Sequence, residues 1–140
     1  MTSIRLAILT TAVVVLGTEA PPAAAQSLDF QTYKTKVEPV FTTKRPGHAR
    51  CVVCHSESNN AFRLQKRPEN GASWTEEQSR QTFENVRNLV KPGDPASSKL
   101  LMHPLAPDAG GDEGHGGGWQ FESKNDPAWQ AMAAWVRGGK

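Results

Sequence analysis

The 140 residues of this chain provide for one compact domain and leave no room for the several domains of a large enzyme. Sixteen Lys and Arg against fourteen Asp and Glu give a formal charge of +2, without the concentrated basic surface that nucleic-acid binding needs, so no nucleic-acid partner is expected. Twelve glycines and ten prolines break the chain into short helices and ordered loops rather than a continuous sheet or coiled coil. A core interrupted this often needs something else to fold around.

Residues 1–25 read as a leader. Arg5 precedes the apolar run Leu6–Leu16, followed by Gly17, Pro21, Pro22 and the small residues Ala23, Ala24 and Ala25, where cleavage before Gln26 satisfies the small-x-small rule. The apolar run is shorter than the roughly 18 residues a bilayer span needs. The expectation is therefore export to the periplasm, cleavage, and a single domain over residues 26–140. No stable membrane span is expected in that domain.

In chain order, Ser27 or Asp29 can cap a first helix carrying Phe30, Tyr33 and Val37, stopped by Pro39. The pentapeptide Cys51-Val52-Val53-Cys54-His55 follows a polar stretch. A polar loop from Asn59 to Gly71 contains Phe62 and Leu64. A second helix opens near Ser73, with capping-box spacing from Ser73 to Glu76, and runs through Phe83, Val86 and Leu89 to end before Pro92-Gly93. Asp94-Pro95 opens a short third helix with Leu100 and Leu101. After the glycine-rich stretch Gly110–Gly118, Asp126-Pro127 opens a fourth holding Trp129, Met132, Ala133 and Val136, which Gly138 ends.

Both cysteines of the chain lie in the one pentapeptide. Two thiols one turn apart can each add to a haem vinyl group, and the next residue then presents an imidazole to the iron. Structural zinc requires about four N/S ligands and there is no second cysteine pair. A thioredoxin-like dithiol follows a buried strand, whereas Thr42–Arg50 is polar. A disulfide closing two intervening residues would constrain little of the unfolded chain. The pattern thus points to one covalent haem c, with Cys51 and Cys54 as thioether tethers, His55 as the proximal ligand, and Phe62 and Leu64 facing the macrocycle.

An amino-terminal helix, the Cys-x-x-Cys-His soon after it and an aromatic-bearing last helix together resemble a single-haem class I cytochrome c. Val37–Phe41, Pro92–Leu101 and Trp135–Gly138 are similar to the planctomycete-type branch of cytochrome c domains. The resemblance spans most of residues 26–140. It implies an all-α class I cytochrome c fold, short helices and long loops around the haem, in which the first and last helices cross. Phe30, Tyr33, Trp129 and Trp135 are the candidates for that crossing.

The distal ligand has three candidates within chain reach: Met102, His103 and His115. Met132, mid-helix, reads as core filling, and His48 sits too close to the tether to reach the opposite face. His115 lies in a stretch so poor in side chains that ordering it is costly without a strong bond. His115-Gly-Gly-Gly118 also matches the His-x-Gly-Gly segment that the resemblance places at the distal ligand. His55/His115 ligation is therefore expected, with His103 and Met102 as alternatives. Imidazole in place of thioether favours ferric iron and lowers the potential.

An iron with both axial positions filled by protein can exchange an electron but offers no place for substrate, so a one-electron shuttle without enzymatic activity is expected. A ligand-reactive haem with a labile distal histidine, sensing a gas or peroxide, and a relay subunit of a larger redox enzyme are the other readings. Partners would be transient redox proteins, donor and acceptor, steered by Lys34, Lys36, Lys44, Arg45 and Arg50 near the tether.

Overall fold

The computed structural model describes residues 27–71 and 73–139. The leader expected over residues 1–25 lies outside the described residues. The described chain is helical, with no sheet, and none of its helices is long and apolar enough to cross a membrane.

The first helix, α1, consists of three consecutive pieces, Phe30–Thr32, a π-helical segment Tyr33–Val37, and Glu38–Thr42. Asp29 caps it by accepting from the Thr32 amide at 2.7 Å. Pro39 does not stop this helix, contrary to the sequence expectation. In the widened segment the Glu38 N–H bonds the Tyr33 carbonyl five residues back, and Pro39 sits in the first turn of the next α-helical piece, where a missing N–H is tolerated.

The Cys-x-x-Cys-His residues form the single turn α2, Cys51–His55. Helix α3, Glu76–Arg87, opens with a capping box, but from Thr75 to Gln78 rather than Ser73 to Glu76. Trp74 explains the shift: its buried indole donates to the Gln65 carbonyl at 3.0 Å and holds the chain outside the helix until Thr75. Asp94 caps a 3-10 turn, Pro95–Ser97, that leads into the short α4, Lys99–Met102. A second 3-10 turn, Pro107–Ala109, precedes the glycine-rich loop. Helix α5, Pro127–Val136, starts on the Asp126 cap as expected.

Helices α1 and α5 meet through Tyr33 and Trp135, ring centres 5.7 Å apart, and the Trp135 indole donates to the Asp29 carbonyl at 2.9 Å. Phe83 of α3 packs edge-on against Tyr33 at 5.2 Å and lies 6.2 Å from Trp135. Trp129 belongs elsewhere: its indole donates to the Leu101 carbonyl at 3.2 Å and so pins α5 to α4, not to α1. The loop before α2 is tied to the start of α5 by an ion pair between Arg45 and Asp126.

Two of the cations expected to steer partners are engaged within the fold. Arg45 is paired with Asp126, and Lys34 of α1 with Glu76 of α3. Lys44 donates its ammonium to the His48 carbonyl at 2.5 Å.

Candidate functional site

A cavity of about 590 Å³ opens between α1, α2, α4, α5 and the glycine-rich loop, within the range usual for cofactor sites. Cys51, Cys54, His55, His103 and His115 all line it. Met102 does not; it is half-buried and packs against the core. His48 lies outside it, in a separate polar cleft with Arg45 and Asp126.

Helix α2 presents its two thiols three residues apart on one turn, both free, Cys51 partly covered and Cys54 exposed. Burial pushes the Cys51 thiol up to about 11, so it stands protonated at neutral pH. A pair of free thiols beside an open cavity suits addition to an alkene. No cluster of three or more His, Cys, Asp or Glu able to hold a metal ion by itself occurs among the described residues.

The two outer imidazoles have the same local arrangement. His55 Nδ1 lies 2.8 Å from the Phe62 carbonyl and 3.3 Å from Asn60 Oδ1. His115 Nδ1 lies 2.5 Å from the Gly118 carbonyl. A carbonyl oxygen can only accept, so Nδ1 carries the proton in each ring and Nε2 keeps its lone pair. Holding the other ring nitrogen by a backbone carbonyl is the usual way a metal-binding imidazole is oriented. Burial lowers the His55 pKa below its ordinary value, and the nearby His115 and His103 act in the same direction, which keeps the ring in the neutral form that ligates.

The His55 and His115 ring centres are 6.4 Å apart with their planes 26° from parallel. Two imidazoles bonded end-on to one metal ion, each by about 2.0–2.1 Å, place their ring centres about 6.3 Å apart. The residues present therefore fit an iron porphyrin: two thiols for attachment, two imidazoles whose ring centres stand at the right span, and apolar walls.

Those walls differ in part from the sequence expectation. Phe62 does line the cavity, its ring tilted against His55 at 4.5 Å and edge-on to Phe41 at 5.1 Å. Leu64 does not: its amide bonds the His55 carbonyl at 3.0 Å and its side chain turns into the core. Leu100 faces the cavity while Leu101 points away, and none of the four tryptophans reaches it. Phe41, Phe121 and Met132 complete the wall instead. Met132 was expected only as core filling; it is buried and lines the cavity as well.

No family model, curated protein or solved structure matches this chain. The functional reading therefore rests on the site itself.

The histidine loop is built by glycines. Gly114 and Gly118, on either side of His115, both adopt positive φ, 88° and 74°, which a side chain rarely tolerates. Gly111 is needed for a different reason, since a Cβ there would sit 1.9 Å from the Leu105 carbonyl oxygen. On one side the Gly111 and Asp112 amides bond the Ala106 and Met102 carbonyls, and on the other the Gln120 and Phe121 amides share the Pro104 carbonyl. A paired Leu105 and Phe121 brings these two anchors together. These anchors are made by backbone atoms and are not legible from residue type.

One feature of the distal side was not foreseen. His103 lies 5.0 Å from His115, ring centre to ring centre, in an edge-on arrangement, and the Asp112 carboxylate stands 3.6 Å from its Nδ1. An acid and a base are thus side by side next to the distal loop, where the sequence suggested none.

Proposed function

We propose that this protein is an exported one-electron carrier of the class I cytochrome c type, with one haem attached through Cys51 and Cys54 and held between His55 and His115. The observation that carries the reading is the matched pair of imidazoles, each with Nδ1 bonded to a carbonyl and the two centred 6.4 Å apart in one cavity. The bound haem would supply a reversible ferric/ferrous couple. The chain's own part is to fix both imidazoles so that they need not move when the charge on the iron changes, and to keep water out with Phe41, Phe62, Leu100 and Phe121.

Filling both axial places with protein leaves electron exchange and excludes chemistry on an iron-bound substrate. Two imidazoles stabilise ferric iron relative to an imidazole–thioether pair, so a low potential is expected. The absence of Met102 from the cavity lining supports this ligand set.

The test is to express the full chain in a host that attaches haem c and to denature the product. The expected result is a red polypeptide heavier by one haem, with a low-spin spectrum lacking the weak red band of sulfur-ligated iron. A colourless chain of the bare mass overturns the reading, and a sulfur band moves the distal ligand to a methionine.

A further inference from the structure

The distal side of the cavity contains two imidazoles, and only one is needed opposite His55. They are held very differently. His115 rides on residues 113–119, whose only backbone hydrogen bond to another residue, among those described, is the internal one from Gly118 to the His115 carbonyl, 2.9 Å. A side chain added at Gly114, Gly116 or Gly118 would meet no neighbour, so the loop is open to the outside at these three positions. His103 instead sits at the end of α4, its amide bonded to the Lys99 carbonyl at 3.0 Å and followed by Pro104, whose carbonyl anchors Gln120 and Phe121.

We propose, resting on the haem reading above, that His103 is a reserve distal imidazole, which takes the place opposite His55 when the His115 loop swings out. Three observations combine. The His103 ring already lines the cavity and contacts the His115 ring edge-on at 5.0 Å. Its side chain is 49% exposed, which leaves room to turn about its own bonds. The Asp112 carboxylate stands 3.6 Å from Nδ1, so its charge favours a ring proton on that side over Nε2, the nitrogen a metal would take.

The two imidazoles then divide the work. Opening costs less on the His115 side, where few backbone bonds oppose it, and His103 would close the vacated place before a small external ligand binds there. Opening the loop would exchange one nitrogen ligand for another, not expose a reactive iron. The potential would move only slightly, because the ligand type is unchanged.

The experiment compares four haem-loaded proteins: the parent chain, His115→Ala, His103→Ala, and the double variant. The readouts are the ferric spin state and the rate at which the reduced protein binds carbon monoxide. His115→Ala is expected to stay low-spin and to bind carbon monoxide at least about tenfold more slowly than the double variant. His103→Ala is expected to stay low-spin through His115, and the double variant to be high-spin and react at once. Added imidazole should return the double variant to low spin, which separates loss of a ligand from loss of the fold.

A His115→Ala protein as high-spin and as reactive as the double variant overturns the proposal. So does a high-spin His103→Ala, which would make His103 the standing ligand, or a double variant that stays low-spin. Failure of the underlying haem reading looks different: the parent chain itself would lack covalent pigment.

Discussion

The imidazoles of His55 and His115 reach the same cavity by opposite local means. His55 is set by a helical turn and by the return of the chain at Phe62, whose ring lies tilted against it and whose carbonyl accepts from its Nδ1–H. His115 is set by two glycines that let the loop double back until the Gly118 carbonyl meets the same ring atom. Replacing Cys51 and Cys54 together by Ala should remove the covalent pigment while leaving both imidazoles available. Haem added afterwards should then bind but be lost on denaturation, which a pyridine extraction of the unfolded protein would reveal. Retention of pigment after denaturation would contradict the thioether assignment.

A second residue-scale prediction concerns Glu38, buried in α1 with one carboxylate oxygen bonded by Ser79 at 3.0 Å and the other without a partner. Burial raises its pKa, an effect the Ser79 bond and Lys34 only partly offset. A carboxyl group whose folded pKa lies above its unfolded value favours the fold most when protonated. That contribution is complete below about pH 4.3 and is lost as pH rises through the folded pKa. Glu38→Gln keeps an acceptor for Ser79 and has no charge to bury, so it should be the more stable protein at pH 7 and lose that advantage below about pH 4. Denaturant titrations at the two pH values decide this; an advantage that grew on acidification would contradict it.

At this scale much of the candidate site could be read in advance, because Cys51, Cys54 and His55 are neighbours in sequence and their chemistry is local. His115 was legible through the cost of ordering glycines. Its carbonyl partner, and that of His55, were not, since a backbone oxygen has no signature in sequence. Nor could Leu64 and Leu101 be told from Phe62 and Leu100 as cavity walls. In turns this short, one residue changes the face a side chain presents.

Among the elements, the first turn of α5 carries a double role. Asp126 accepts from the Ala128 amide at 2.9 Å and the Trp129 amide at 3.3 Å, and it pairs with Arg45 in the loop leading to the haem motif. Burial opposes its ionisation, but the Arg45 hydrogen bond and the two amides outweigh that and hold its carboxyl below the ordinary value. The sign is therefore opposite to that of Glu38. Its stabilisation is present above about pH 3.9 and is lost as pH falls through the folded pKa. Asp126→Ala should cost about 1–2 kcal/mol through the cap alone. Asp126→Asn, which can still cap, should cost less, and thermal melts at pH 7 and pH 3 should show its deficit shrinking on acidification.

Gly111 tests the histidine loop as an element. A methyl group there meets the Leu105 carbonyl, a backbone atom that cannot rotate away. Gly111→Ala should therefore cost about 1–3 kcal/mol and shift His115 relative to His55. In a haem-loaded His103→Ala background, where no second imidazole can take over, this should appear as a mixed-spin ferric spectrum at a temperature where far-ultraviolet circular dichroism is unchanged. Pro39 and the capping box carry a related lesson about legibility. The helices themselves were visible from their caps and apolar spacing, but proline's effect depended on a π turn and the start of α3 on where the Trp74 indole found an acceptor. The one turns on a backbone bond five residues back and the other on an acceptor nine residues away, and neither leaves a mark in residue type.

For the whole molecule, the size of the cavity sets the balance between the bare chain and the loaded one. At about 24 cal/mol per Å³ of unfilled apolar space, a void of about 590 Å³ would forfeit about 14 kcal/mol, an upper bound because this cavity is open and partly polar. Even half of that is comparable to the whole stability of a typical domain, about 5–15 kcal/mol. The aromatic cluster of Tyr33, Phe83 and Trp135 lies at the α1–α5 crossing and does not line the cavity, so it should hold those helices together without haem. Helix α2, α4 and the histidine loop surround the cavity and should not stay packed. The double Cys→Ala chain, prepared free of haem, should thus retain part of its helical signal but lose fixed near-ultraviolet signals and melt over a broad range. Hydrogen exchange should find protection surviving at Tyr33, Phe83 and Trp135 and missing at residues 99–118. A sharp cooperative transition with uniform protection would mean that the chain alone supplies a sufficient core.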